Sequence, residues 1–197
     1  GTPYVYQGEE LGMTNAHYND ISQYRDVESL NYYKILLDQG KTKEQALKVL
    51  AARSRDNSRT PMQWSDDKNA GFTEGTPWIE APENYKEINA ETELKDPDSI
   101  YSFYKKLIAL RKEKDIIAEG TIEFLEKENA DVLAYRRNYQ GEELIVLNNL
   151  TAENVTIRQQ PEWKAYQKCL GNYEKITAED GKITLRPFET IVLYSAL

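Results

Sequence analysis

Near Gly120 the hydrophobic pattern changes period, from helical to alternating, so the two halves of the chain cannot share one architecture. Thr121–Leu125, Val132–Tyr139, Glu143–Leu150, Val155–Arg158, Lys164–Leu170, Lys182–Leu185 and Thr190–Tyr194 read as short strands. Asn129-Ala130-Asp131, Gln140-Gly141, Thr151-Ala152 and Asp180-Gly181 separate them, and Gln140-Gly141 and Asp180-Gly181 are tight-turn signals. Pro187-Phe188-Glu189 marks a turn into the last strand. Strands at this spacing predict an antiparallel β-sandwich over residues 119–197, leaving residues 1–118 to a separate domain.

The first half mixes strand, helix and long loops. Thr2-Pro3-Tyr4-Val5-Tyr6-Gln7 is β-prone, stops at Gly8 and is followed by Glu9-Glu10. That reads as a parallel strand delivering polar groups at its C-terminal end, where a (β/α)8 barrel places its active site. Adjacent strand residues point to opposite faces, so Glu9 and Glu10 cannot flank one bond and are expected to tie down loops at the rim. Thr14–Asp26 reads as a loop. Ile21–Leu37 carries Val27, Leu30, Tyr33 or Lys34, and Leu37 at helical spacing up to Gly40, and Thr42 with Gln45 makes a capping box for a helix over Lys43–Ala52. Ser65–Glu93 is a long Gly/Pro/Asn/Asp-rich stretch with Trp64, Phe72, Trp78 and Tyr85 as candidate packing anchors. A helix over Asp98–Lys112 follows, started by Asp96 or Asp98, with an apolar stripe from Ile100 to Leu110.

Composition narrows the function classes. A net charge of −8 offers no basic face for a phosphate backbone, which argues against nucleic acid as a partner. No apolar run is long enough to span a membrane, and no signal peptide is visible. One cysteine, Cys169, excludes internal disulfides and fits a reducing, cytoplasmic compartment. The only histidine, His17, has no second His or Cys nearby, so neither a metal site nor a cofactor is expected. The chain opens on Gly1 in mid-strand, which gives the expectation of a fragment whose N-terminal part is a missing partner.

The densest hydrogen-bonding stretch is Ser54-Arg55-Asp56-Asn57-Ser58-Arg59-Thr60-Pro61-Met62-Gln63-Trp64. A guanidinium fork suits carboxylates or vicinal sugar hydroxyls, and a nearby carboxylate would hold it in place. The bland reading is a structural loop with Asp56 and Arg59 paired and Trp64 in the core.

That stretch resembles the loop after the last barrel strand in the α-glucosidase branch of the α-amylase superfamily, and Gly1–Met13 resembles the eighth strand itself. Tyr24-Arg25-Asp26-Val27-Glu28-Ser29-Leu30-Asn31, Asn69-Ala70-Gly71-Phe72-Thr73 and Pro77-Trp78 follow in the order that the family uses. The resemblance implies the C-terminal remnant of a (β/α)8 TIM barrel, its last strand and helices, followed by an antiparallel β-sandwich. It implies a small-molecule α-glucoside as the substrate of the intact enzyme. Family members retain anomeric configuration using carboxylates at the ends of earlier strands, so the catalytic residues are expected upstream of Gly1 and none in this chain. Arg55 matches the arginine that hydrogen-bonds glucose in the pocket before the scissile bond, and Glu28 an acidic residue near the leaving-group sugar. Arg59 and Arg25 are expected to brace the loops through Asp56 and Asp26. Within the family the chain resembles trehalose-6-phosphate hydrolases, with oligo-1,6-glucosidases sharing the scaffold. Relatives that keep this fold as a non-catalytic scaffold, and a carbohydrate-binding module with Trp163, Tyr166 and Tyr173 as its aromatics, are the alternatives of another class.

Overall fold

In the first half, side-chain caps decide where the helices begin. The computed structural model describes residues 2–196, which divide into two compact units, 2–102 and 103–196. In the first unit, Asp26 caps helix α1 (Val27–Asp38) by accepting from Ser29 N–H. Thr42 and Gln45 form the expected capping box of α2 (Lys43–Arg53). Asn89 caps the short α3 (Ala90–Lys95). The next helix, α4 (Ile100–Glu113), starts two residues later than expected because Ser99 Oγ accepts from Ser102 N–H.

α1 and α2 pack around Tyr18, Tyr24, Tyr33, Leu36, Ala46, Leu50 and Ile79. The buried positions of α1 are Ser29, Tyr33 and Leu36, whereas Val27 faces solvent. Leu30, Tyr33 and Leu37 of the expected stripe pack on this core, and the polar Ser29 joins them because its hydroxyl meets Asp26 and Ser54 in buried hydrogen bonds.

Two expectations fail here for one physical reason. Thr2–Gln7 pairs with no strand among the described residues, and Tyr4 is 91% exposed. A parallel strand needs neighbours to take its N–H and C=O groups. Trp64, Phe72 and Trp78 do not act as anchors within this chain, being 53%, 52% and 65% exposed. Ala70, Ile79, Gln63 and Asn89 are buried in that region, and Gln63 C=O accepts from Ala90 N–H at 2.9 Å.

The second unit holds a five-stranded antiparallel sheet in the order β1-β2-β3-β8-β5, with β1 Thr121–Leu125, β2 Val132–Tyr139, β3 Glu142–Asn149, β8 Thr190–Ala196 and β5 Gln167–Gly171. A three-stranded sheet, β4-β7-β6, is built from β4 Val155–Arg158, β7 Lys182–Leu185 and β6 Thr177–Glu179. The Gln140-Gly141 and Asp180-Gly181 hairpins have positive φ at both residues (47° and 83°, 50° and 71°). That is the type I′ turn matched to strand twist, which glycine adopts without a Cβ clash.

Alternation along the strands builds the core. Val132, Ala134, Ile145, Leu147, Ile157, Ile183, Leu185, Ile191 and Leu193 meet between the two sheets around Trp163. The other face of the larger sheet, with Leu144, Val146 and Val192, is covered by Ile116 of α5 (Ile116–Glu119) and by Phe103 and Leu110 of α4. Burial on both faces explains the unbroken apolar run Leu144–Leu147. The strand expected over Lys164–Leu170 begins only at Gln167, because Pro161–Ala165 form a 3-10 turn that drives Trp163 into the core.

Candidate substrate-binding site

Ser54 ends α2 and, through its Oγ, accepts from Asp56 N–H at 3.1 Å, turning the chain into a 3-10 segment over Arg55–Ser58. Arg55 thereby points outward and Asp56 inward. The structure brings the two expected site residues together: the Arg55 guanidinium donates to Glu28 Oε2 in an ion pair. The two side chains are 63% and 67% exposed. An ion pair this wet contributes under about 1 kcal/mol, so it is not what holds the loop.

Asp56, wholly buried, holds it. Its Oδ2 accepts from Arg25 N–H at 2.7 Å and from Asp26 N–H at 2.9 Å. Arg59 bridges Asp26 Oδ1 at 3.3 Å and Asp56 Oδ1 at 3.5 Å, as the sequence suggested. Arg25 does not pair with Asp26. Its guanidinium donates to the carbonyls of Tyr24 at 3.1 Å, Trp78 at 3.2 Å and Ser22. Carbonyls suit it because Asp26 is already occupied: Asp26 Oδ2 accepts from Ser29 N–H at 3.0 Å and Ser29 Oγ at 2.9 Å. Burial pushes the Asp26 carboxyl up, but those bonds, the Arg55 charge and Arg59 together hold it below its ordinary range. Burial also pushes the Tyr24 phenol up to about 12.

Sequence reasoning missed Ser29 and Ser54. The available signal was the capping pattern Asp26-x-x-Ser29, which was read only for its apolar residues.

An open cleft of about 1010 Å³ runs between α1 and α2, with Glu28, Tyr32, Lys48, Val49, Arg53 and Arg55 along it. A smaller one of about 320 Å³ lies between Tyr6–Asn15 and Ala52–Thr60, where Tyr6 Oη donates to Ser58 C=O at 2.7 Å. Glu28 takes one side of the Arg55 fork, leaving other donors for hydroxyls in the cleft. Among the described residues, Asp26, Asp56, Glu9 and Glu10 along these clefts are engaged by the protein's own N–H donors. Asp26 and Asp56 are filled by N–H donors, while Glu9 accepts from Tyr6 N–H at 3.1 Å and Glu10 from Gly8 N–H at 2.8 Å. Among the described residues no group of three or more His, Cys, Asp or Glu is placed to hold a metal ion.

Trp163, Tyr166 and Tyr173 do not form an exposed row. Trp163 is buried in the core, Tyr166 Oη donates to Glu143 at 2.7 Å, and Tyr173 Oη donates to Pro187 C=O at 3.0 Å beneath Arg186. The compact unit 103–196 is therefore expected to bind no maltodextrin. Saturable binding in calorimetry would overturn that expectation.

A family model for the α-amylase catalytic domain matches residues 1–120, and one for the C-terminal domain of the α-amylase SusG matches residues 132–192. The chain belongs to the α-amylase family. The trehalose-6-phosphate hydrolase of Bacillus subtilis (strain 168) is 49% identical to it over 98% of this chain and 35% of that protein. The oligo-1,6-glucosidase of Bacillus cereus is 44% identical, again over 98% and 35%. The crystal structure of Bacillus licheniformis trehalose-6-phosphate hydrolase superposes with a TM-score of 0.94 at 47% identity, covering 100% of this chain and 36% of that one. Trehalulose synthase MutB from Pseudomonas mesoacidophila MX-45 gives 0.85 at 35% identity, over 98% and 35%. The chain thus spans about a third of the length of the relatives it matches.

Proposed function

We propose that this chain is the C-terminal part of a retaining α-glucosidase that hydrolyses trehalose 6-phosphate to glucose and glucose 6-phosphate. Arg55 and Glu28 hold the sugars on either side of the scissile bond, and the catalytic carboxylates belong to preceding polypeptide. The observation that carries this reading is an exposed guanidinium, held by one carboxylate, on a loop fastened by buried polar groups. A fork so placed has donors to spare for neighbouring hydroxyls. The domain boundary proposed at 118/119 follows the end of the catalytic-domain match at residue 120, whereas the compact units divide earlier, at 102/103, because Phe103, Leu110 and Ile116 pack on the larger sheet. A single cysteine is in keeping with a cytoplasmic setting. No described helix is long and apolar enough to cross a membrane.

The second reading, hydrolysis of isomaltose-type oligosaccharides, is favoured by the oligo-1,6-glucosidases at 44% identity. A non-catalytic scaffold fits less well, because the Arg55 loop keeps its supporting hydrogen bonds. The complete polypeptide is expected to hydrolyse trehalose 6-phosphate with a kcat/KM well above that for isomaltose. The reverse preference moves the substrate to α-1,6-linked sugars, and activity on neither returns the scaffold.

A further inference from the structure

We infer that Asp56 is a positioning residue: it sets the spacing between Arg55 and Glu28 without touching substrate. The inference rests on Arg55 and Glu28 holding the sugar as proposed above. Two long, exposed side chains from segments 27 residues apart do not fix each other, because each gives up rotamer entropy for a solvent-screened contact. Their mutual geometry must come from the backbone beneath them.

That backbone is tied by one closed ring. Asp56 follows Arg55 directly, and its Oδ2 accepts from Arg25 N–H at 2.7 Å and Asp26 N–H at 2.9 Å, the residues just before the turn that carries Glu28. Asp26 Oδ2 accepts from Ser29, Ser29 Oγ meets Ser54 Oγ at 2.8 Å, and Ser54 Oγ accepts from Asp56 N–H. Asp26, Ser29, Ser54 and Asp56 are all buried, so no water competes for these bonds and an acceptor removed there leaves donors orphaned. The first turn of α1 and the turn after α2 therefore move as one piece.

The test uses the complete polypeptide and p-nitrophenyl α-glucoside, a neutral probe of the sugar pocket. Asp56→Ala is expected to raise KM about tenfold or more, with a smaller change in kcat. Ser54→Ala, a milder break in the ring, should raise KM less while folding normally. Leu36→Ala destabilises the same unit through its apolar core and should leave KM unchanged. On an Arg55→Ala, Glu28→Ala background, Asp56→Ala should add nothing to KM, since neither sugar-holding side chain is left to place.

Ring variants that lower Tm without changing KM, or an Asp56→Ala effect that persists on the Arg55→Ala, Glu28→Ala background, would overturn the positioning role. If Arg55→Ala alone leaves both KM and kcat at wild-type values, it is the sugar-binding reading that fails. The crystal structure of Ser54→Ala then decides the inference by itself. A displaced Arg55–Glu28 pair upholds the positioning, and an unmoved pair ends it.

Discussion

Purified and mixed with trehalose 6-phosphate, isomaltose or p-nitrophenyl α-glucoside, the 197-residue chain is expected to release no glucose, whereas the complete polypeptide turns over. Retaining glycoside hydrolysis needs two carboxyl groups about 5 Å apart across one glycosidic bond, one of them kept protonated. The carboxylates near the candidate site cannot serve. Asp26 and Asp56 are buried acceptors of N–H groups, Asp26 is held below its ordinary range, and Glu28 is paired with Arg55. A general acid requires the opposite shift. Losing nucleophile and acid together removes about six or more orders of magnitude of rate. The measurement is glucose release by coupled assay on chain repurified until activity is constant. Turnover that stays with the chain would mean that carboxylates described here as structural do chemistry.

The elements legible in the sequence were those set by local chemistry. The capping box at Thr42 and Gln45 and the two hairpins with glycine in their second turn position sit where the pattern put them, because each is decided within four residues. Elements decided at a distance were not legible. Thr2–Gln7 has strand composition but finds no partner within this chain, and Trp64, Phe72 and Trp78 have the size of core anchors without anything to pack against. Thr177–Glu179 has no apolar alternation, being exposed throughout, and is a strand only because β7 lies beside it. The candidate site divides the same way. Arg55 and Glu28 were read from motifs, yet their contact spans 27 positions and depends on Asp56, whose part in joining two turns no local pattern displays.

Glu189→Ala is expected to lower the stability of the sandwich unit by about 3 kcal/mol, more than any exposed substitution in the chain. Glu189 is 1% exposed and sits at the turn into β8, where its carboxylate takes Arg186 Nε at 3.0 Å, the second guanidinium nitrogen at 2.7 Å and Arg186 N–H at 2.8 Å. Its own C=O accepts from Asn149 N–H at 2.9 Å, and the Asn149 amide in turn donates to the carbonyls of Glu153 and Arg186. Removing the carboxylate leaves the turn N–H and Arg186 Nε without their acceptor, although the Lys175 carbonyl, stacking on Tyr173 and partial exposure of Arg186 keep the loss at the lower end for a buried pair. For a unit of this size that corresponds to a fall in Tm of more than about 10 °C. The pH dependence follows from the same contacts. Burial pushes the Glu189 carboxyl up, but the Arg186 hydrogen bonds and charge outweigh it and hold the folded value below its ordinary 4.5. Folding therefore favours the ionised form, and this stability is fully present above the ordinary carboxylate range. It is lost as pH falls through the depressed folded value. Thermal unfolding of wild type and Glu189→Ala across the acid range should show two curves that converge as pH falls. Curves that stay parallel would mean that the stabilisation at this turn comes from packing, not from the charge.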